Sequence, residues 1–230
     1  MRTSNMEDTI NYLNRVKYLK ILMDVSINKS QSTNKNLVGL KYSFFGDSIL
    51  ITCEIVDKKE TKEYFAEVSY LITSVLAEAL RQKILFRGAL SIGNYIEESN
   101  IILGPAVVDA AIWHDRLDLF SVITTPSAFN KIRSFYSLND PSFEETSLTF
   151  PIMKYKVPMK EGFLETYIYN WPMAIPTLIE SFEKEIIGRD TLHWYFDKIS
   201  RFYIPPGTEN KYRNTEDFVR YSIKHKTNPT

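Results

Sequence analysis

The chain has 230 residues, 44% hydrophobic and 24% charged, which excludes a disordered or collagen-like polymer. Lys plus Arg number 28 and Asp plus Glu number 28, so the net charge is zero and the basic footprint of a dedicated nucleic-acid binder is absent. A single cysteine, Cys53, excludes an intrachain disulfide and fits a reducing compartment. The longest charge-free run, residues 166–179, has 14 residues and contains Pro172 and Pro176, so no membrane span is expected. The first residues, MRTSN, hold no apolar signal-peptide core, and the expectation is a soluble cytoplasmic protein.

Residues 9–27 place Tyr12, Val16, Leu19, Met23 and Ile27 at spacings of three and four, one helical stripe. Residues 26–36 (SINKSQSTNKN) are polar and read as a loop. Residues 38–54 are rich in β-branched and aromatic residues on both sides of Gly46-Asp47, which predicts a hairpin with a type II′ turn. Residues 57–63 (DKKETKE) read as a solvated connection, and Phe65, Val68, Ile72, Val75, Ala79 and Leu80 form a second helical stripe. Residues 84–93 read as a buried strand, with 95–103 as its hairpin partner across Glu97-Glu98-Ser99-Asn100. Pro105 suits a helix first turn, so 106–117 is the next expected helix. A strand at 119–124, a helix opened by Pro126 and running to Phe135, and a loop at 137–146 follow. Strands at 152–157 and 163–169 and helices at 173–187 and 190–203 complete the body. Residues 205–230 hold few apolar side chains and are expected to be a fraying or surface-lying tail after a 1–204 domain. Successive hairpins and helices imply an α+β fold, an antiparallel sheet covered by helices on one face, and argue against a doubly wound parallel sheet.

Three local features bear on chemistry. Asp47, in Phe44-Phe45-Gly46-Asp47-Ser48, stands at the hairpin apex, where a carboxylate can meet a hard cation such as Mg²⁺. Gly-Asp is also a common turn pair chosen for its backbone conformation alone. In Arg87-Gly88-Ala89-Leu90-Ser91-Ile92-Gly93, glycines within a strand mark close approach of a backbone or a ligand. In Gly104-Pro105-Ala106-Val107-Val108-Asp109-Ala110-Ala111 a glycine turn enters a helix; Pro105 removes one N–H that phosphate would use, and the alanines suit close packing.

The order of these features resembles the class III nucleotide cyclase catalytic domain. It is most similar to the compact bacterial branch that includes the uridylate cyclases of Pycsar antiphage systems. That branch carries a serine-or-glycine–aspartate hairpin, an R-G-A-[ILV]-[ST]-[IV]-G strand and a G-x-A-[LV]-x-x-A helix. The resemblance covers residues 38–117 and extends more weakly through Ile123-Thr124-Thr125-Pro126 and residues 167–171. It implies a ferredoxin-like α+β domain that pairs head-to-tail as a homodimer, burying the sheet face near Asp47 and the Gly104 turn. It implies a reaction in which the ribose 3′-hydroxyl of a nucleoside triphosphate attacks the α-phosphate and pyrophosphate leaves, giving a 3′,5′-cyclic monophosphate. Two divalent ions, Mg²⁺ or Mn²⁺, stabilise the attacking and leaving oxygens in such displacements. By the resemblance Asp47 is a metal ligand, and Tyr42, Phe45, Gly46, Ser48 and Gly104 contact substrate. Tyr42 occupies the neighbourhood from which a lysine reads the base in adenylate cyclases, and it suits a smaller, pyrimidine base. Arg87 and Arg116 are the candidate catalytic cations; a strand arginine also commonly packs or pairs with an acid, and a helix arginine commonly faces solvent.

The chain departs from the family at two places. The eight residues before the first helix, MRTSNMED, contain no apolar strand with the D-[IV]-x-G-F pattern that carries the first metal aspartate. Either that segment lies upstream of Met1 or the aspartate is absent; Asp8 reads as a helix N-cap. The positions of the family's transition-state Asn and Arg hold Val108 and Ile112, with Arg116 one turn further along. His114, His193 and His225 show no metal-ligand spacing. The sequence therefore supports two main readings, a cyclase making a signal in antiphage defence and a catalytically impaired cyclase-fold protein that binds a nucleotide or a partner chain; a plain structural α+β domain whose motifs are accidental ranks well below them.

Overall fold

The computed structural model describes residues 6–33, 39–45, 48–55, 61–82, 84–99, 101–135, 151–175 and 207–226. The chain forms two compact units, Met1–Ile84 and Leu85–Thr230.

The first unit holds helix α1 (Met6–Thr33), strands β1 (Lys41–Phe45) and β2 (Ser48–Thr52), and helix α2 (Thr61–Arg81). The α1 stripe buries Leu19, Met23 and Ile27, and the helix packs on α2, which buries Phe65, Val68, Ile72, Ala79 and Leu80. The loop expected at 26–36 is helical through Thr33, because its polar residues still satisfy their backbone bonds within the helix. Asp8 accordingly lies inside the first turn of α1, not before it. α2 likewise begins at Thr61, within the expected 57–63 connection. The expected hairpin is present: β1 and β2 pair antiparallel from Lys41↔Thr52 to Phe45↔Ser48. Tyr42 and Gln31 tie the hairpin segment to α1, the latter through Gln31 Nε2 donating to the Leu40 carbonyl at 3.0 Å.

The second unit is built on a four-stranded sheet. It contains β3 (Gly88–Leu90), β6 (Val122–Thr124), β7 (Ile152–Pro158) and β8 (Phe163–Tyr169), in the order β3-β6-β8-β7. β3 and β6 run parallel; β6–β8 and β8–β7 are antiparallel. Between β3 and β6 come a two-stranded hairpin, β4 (Ile96–Glu98) with β5 (Ile101–Leu103), and helix α3 (Pro105–Arg116). The strand expected over 84–93 is thus only three residues long, and its partner is β6, not 95–103. Ser99, with φ of 49°, turns residues 96–103 back on themselves instead.

Helix α4 (Pro126–Phe135) follows β6 directly and matches its expected bounds. Thr125 caps it, its Oγ1 accepting from the Ala128 N–H at 3.2 Å, and Pro126 supplies the preset first turn. β7 and β8 pair without interruption from Ile152↔Tyr169 to Pro158↔Phe163. A 3-10 turn, Trp171–Ala174, stands where the helix expected from 173 begins; the rest of that helix, the helix expected at 190–203 and the loop expected at 137–146 lie outside the described residues. Among the described residues no helix is long and apolar enough to cross a membrane.

The tail expectation is overturned. Residues Glu209–Lys226 form a helix, α5, that buries Thr215, Phe218, Val219, Ser222 and Ile223. These positions follow a spacing of three, one, three and one, which is one face of an amphipathic helix. The Phe120 N–H donates to Thr215 Oγ1 at 2.9 Å, Asn214 Nδ2 donates to the Asp118 carbonyl at 2.8 Å, and the Ser222 hydroxyl bonds Asn170 Oδ1. Phe218→Ala removes a ring with 0% exposure and should lower the unfolding free energy by about 3–5 kcal/mol in a urea titration. A loss below ~0.5 kcal/mol, the usual surface value, would mean that α5 does not pack.

Candidate functional site

The β1–β2 register leaves a two-residue connection, positions 46 and 47, between Phe45 and Ser48. Gly46 and Asp47 themselves lie outside the described residues. Phe45 and Ser48, which flank them, are exposed. Tyr42 sits lower on β1, edge-on to Phe44 with ring centroids 5.7 Å apart. Its hydroxyl donates to Asp24 Oδ1 on α1. Burial first, then the hydrogen bond to Asp24 and its negative charge, push the Tyr42 phenol up to about 12. Tyr42 therefore stays protonated with its one proton committed to α1; toward a base it offers a ring face and a lone pair. Cys53, at the other end of the hairpin, is pushed up to about 11 by burial and by Glu54, so it stays a thiol and is no nucleophile.

Arg87 and Arg116 both lie at the C-terminal end of α3, and their roles there differ. Arg87 Nη1 donates to the carbonyls of Asp115 at 3.1 Å and Leu117 at 3.3 Å, and its Nη2 lies 3.5 Å from Asp115 Oδ1. It closes the last turn of the helix, where unmet carbonyls and the negative end of the dipole favour a cation. Lys160, from the β7–β8 turn, joins the same carboxylate at 3.1 Å, and its N–H donates to the Arg116 carbonyl at 2.8 Å. Lys160, and then Arg87, hold the Asp115 carboxyl below its ordinary range. Arg116 is exposed, with its guanidinium carbon 5.4 Å from the centre of the Trp113 ring.

Gly104 is at the opposite end of α3. A helix of this length spans about 18 Å, more than one phosphate can bridge. Gly104 has φ of 149°, and a Cβ there would meet the Asn94 carbonyl oxygen at 2.6 Å and Tyr95 Cα at 2.7 Å. Only glycine fits, and the reason is backbone crossing. The first turn of α3 has no donor to spare: Pro105 lacks an N–H, the Ala106 N–H points at Asn94 O at 3.4 Å, and the Val107 N–H donates to Gly104 O at 3.1 Å. The helix start is not built to receive phosphate. Val108 and Ile112 are apolar and exposed.

One polar cluster escaped the sequence reading. Ser127 Oγ donates to Asp109 Oδ2 at 2.6 Å and lies 3.0 Å from Thr125 Oγ1, and Lys131 Nζ donates to the Ile92 carbonyl at 2.7 Å. The Ser91 hydroxyl is buried and meets no hydrogen-bond partner among the described residues. These groups gather at the carboxyl ends of the parallel pair β3–β6. Thr125-Pro126-Ser127 is legible in the sequence as a helix start, but its link to Asp109, 18 residues away, is not. Of the histidines, His225 bonds the Tyr221 carbonyl at 2.8 Å through Nδ1, while His193 lies outside the described residues. Among the described residues no group of three or more His, Cys, Asp or Glu side chains could hold a metal ion.

The raised Tyr42 value carries a pH dependence. The folded-state pKa, about 12, exceeds the ordinary phenol value of 10.0, so the folded form holds its proton longer. The stability this contributes is fully present below pH 10 and is lost as pH rises toward 12. An ultraviolet tyrosinate titration of the chain minus that of Tyr42→Phe should show one phenol ionising near pH 12. A difference midpoint at 10 would mean that the bond to Asp24 does not form.

No protein-family model, no curated protein and no solved structure matches this chain.

Proposed function

We propose that this chain is a cytoplasmic nucleotide-cyclase-like domain that binds a nucleoside triphosphate, preferentially a pyrimidine nucleotide, at the β1–β2 hairpin. The observation that supports the proposal most directly is the Phe45↔Ser48 register, which pairs two exposed strand ends on either side of the Gly46-Asp47 connection. The order of that hairpin, the Arg87–Gly93 segment and the Gly104 helix start adds to it. In the reaction, the 3′-oxygen forms a bond to the α-phosphorus and its proton leaves to solvent or a base. The bond from the α-phosphorus to the bridging oxygen breaks, and pyrophosphate departs with the electron pair. Asp47 would hold Mg²⁺ or Mn²⁺, and such an ion supplies charge stabilisation to the phosphate oxygens. Tyr42 and Phe45 would offer ring faces to the base. The product would serve as a signal in antiphage defence.

A second reading, a catalytically impaired relative that binds nucleotide or a partner, draws support from Arg87. Its donors close the α3 terminus, which takes one candidate cation out of the chemistry.

Incubation with each of the four triphosphates and Mn²⁺, followed by chromatography for cyclic monophosphates, tests the first reading. Slow turnover is expected, strongest with a pyrimidine nucleotide. Asp47→Ala should abolish product while shifting stability by no more than ~0.5 kcal/mol. Binding of Mn²⁺–triphosphate without any product supports the second reading; neither binding nor product excludes both.

A further inference from the structure

Lys211 lies in the first turn of α5, and its backbone is fixed on both sides. Its N–H donates to the Thr208 carbonyl at 3.0 Å, and its own carbonyl accepts from Thr215 Oγ1 at 2.7 Å. The side chain is half-buried, with Nζ 5.8 Å from the centre of the Phe120 ring, which Tyr212 holds edge-on at 5.0 Å. Among the described residues no carboxylate forms an ion pair with this amine. Other lysines of the same unit are differently placed. Lys154 pairs with Glu165 at 2.8 Å, and Lys160 with Asp115 at 3.1 Å. Lys156 also lies over a ring, 4.8 Å from the Phe163 centre, but beside Glu165.

The charges that face Lys211 come from three places in the fold. Arg87 immediately precedes β3, Lys160 stands in the β7–β8 turn, and Asp115 and Asp118 lie at and just beyond the end of α3. Asp115 is already paired with Lys160 and Arg87, and Asp118 accepts from Asn214 Nδ2 at 3.1 Å. The start of α5 adds the positive end of its own dipole. Burial first, then the Arg87 charge, hold the Lys211 amine below the ordinary lysine range; Lys160 adds to them and the two aspartates oppose. A lysine so placed yields the neutral, nucleophilic amine more readily than one paired with an acid.

We propose that Lys211 is an acylation site that receives its acyl group from an acyl phosphate. The neutral Nζ attacks the carbonyl carbon, and an N–C amide bond forms. The C–O bond to phosphate breaks, inorganic phosphate leaves with the electron pair, and the surplus proton on nitrogen passes to solvent. Arg87 acts through its charge, since its donors hold the end of α3. Together with Lys160 it draws in the anionic donor and stabilises the departing phosphate. The product amide is neutral, so the repulsion among the three cations ends with the reaction. The inference depends on α5 and the end of α3, not on the chemistry proposed above.

Limited reaction of the full chain with acetyl phosphate at about pH 8, read lysine by lysine in peptide mass spectra, tests it. Lys211 should be acetylated about threefold or more faster than Lys154 and Lys156. That lead should shrink with acetic anhydride, a neutral donor. It should also shrink in about 1 M salt, where charges are screened within about 3 Å. Lys160→Gln should reduce it as well, because one cation is lost and Asp115 is released toward Lys211; the salt series makes the same test without a substitution. Lys211 reacting no faster than Lys154 and Lys156 would overturn the site. A lead equally large with acetic anhydride, or indifferent to salt, would overturn the acyl phosphate as its donor.

Discussion

The second unit depends on the joint between β6 and β8. Only one residue pair, Ile123↔Ile168, links these strands in register. Hydroxyl groups complete the seam. Thr124 and Thr166 lie Oγ1 to Oγ1 at 2.8 Å, and Thr166 also donates to the Thr124 carbonyl at 2.9 Å. Ser121 Oγ donates to the Tyr169 carbonyl at 3.1 Å, and Trp171 Nε1 to the Phe120 carbonyl at 3.2 Å. All three hydroxyl residues are buried, so each unmet group would carry a penalty of about 1–3 kcal/mol. α5 then spans the seam, fastened to Asp118 and Phe120 at one end and to Asn170 at the other. The parallel pair β3–β6 and the antiparallel pair β8–β7 thereby act as one sheet.

This scaffold uses up polar groups that would otherwise be open to a ligand. Arg87 holds the end of α3, and Lys160 fastens the β7–β8 turn to the same place. Gly104 lets the chain cross Asn94 and Tyr95 closely. α3 is thus secured at both termini and packs along its length against β3. In the first unit Tyr42 is similarly engaged with α1. The residues that flank the two-residue hairpin connection, Phe45 and Ser48, are exposed.

Much of the fold was legible where local chemistry and periodicity agree. Thr125-Pro126 announces α4, because a capping hydroxyl and a preset φ both favour a helix start. The strand-like runs of β7 and β8 and the β-branched hairpin β1–β2 read directly. α1 was legible only through Ile27, since a polar continuation resembles a loop until it is seen to stay helical. A count of apolar residues hides α5, whereas the spacing of Thr215, Phe218, Val219, Ser222 and Ile223 reveals it. β3 was misjudged because its pairing with β6 depends on residues more than 30 positions away. At the site, the hairpin position of residues 46 and 47 was readable from sequence. The engagement of Arg87 was not, since Asp115 and Leu117 lie 28 and 30 residues further along.

The central claim is that the β1–β2 hairpin, through Asp47, is where a metal–nucleotide complex binds. Paramagnetic broadening by Mn²⁺ with a pyrimidine triphosphate, read in amide spectra of the isotope-labelled chain, tests it most directly. The account predicts that the Phe45 and Ser48 resonances broaden first and that Asp47→Ala removes the effect. Sharp Phe45 and Ser48 signals at saturating complex, or broadening that survives Asp47→Ala, would contradict it.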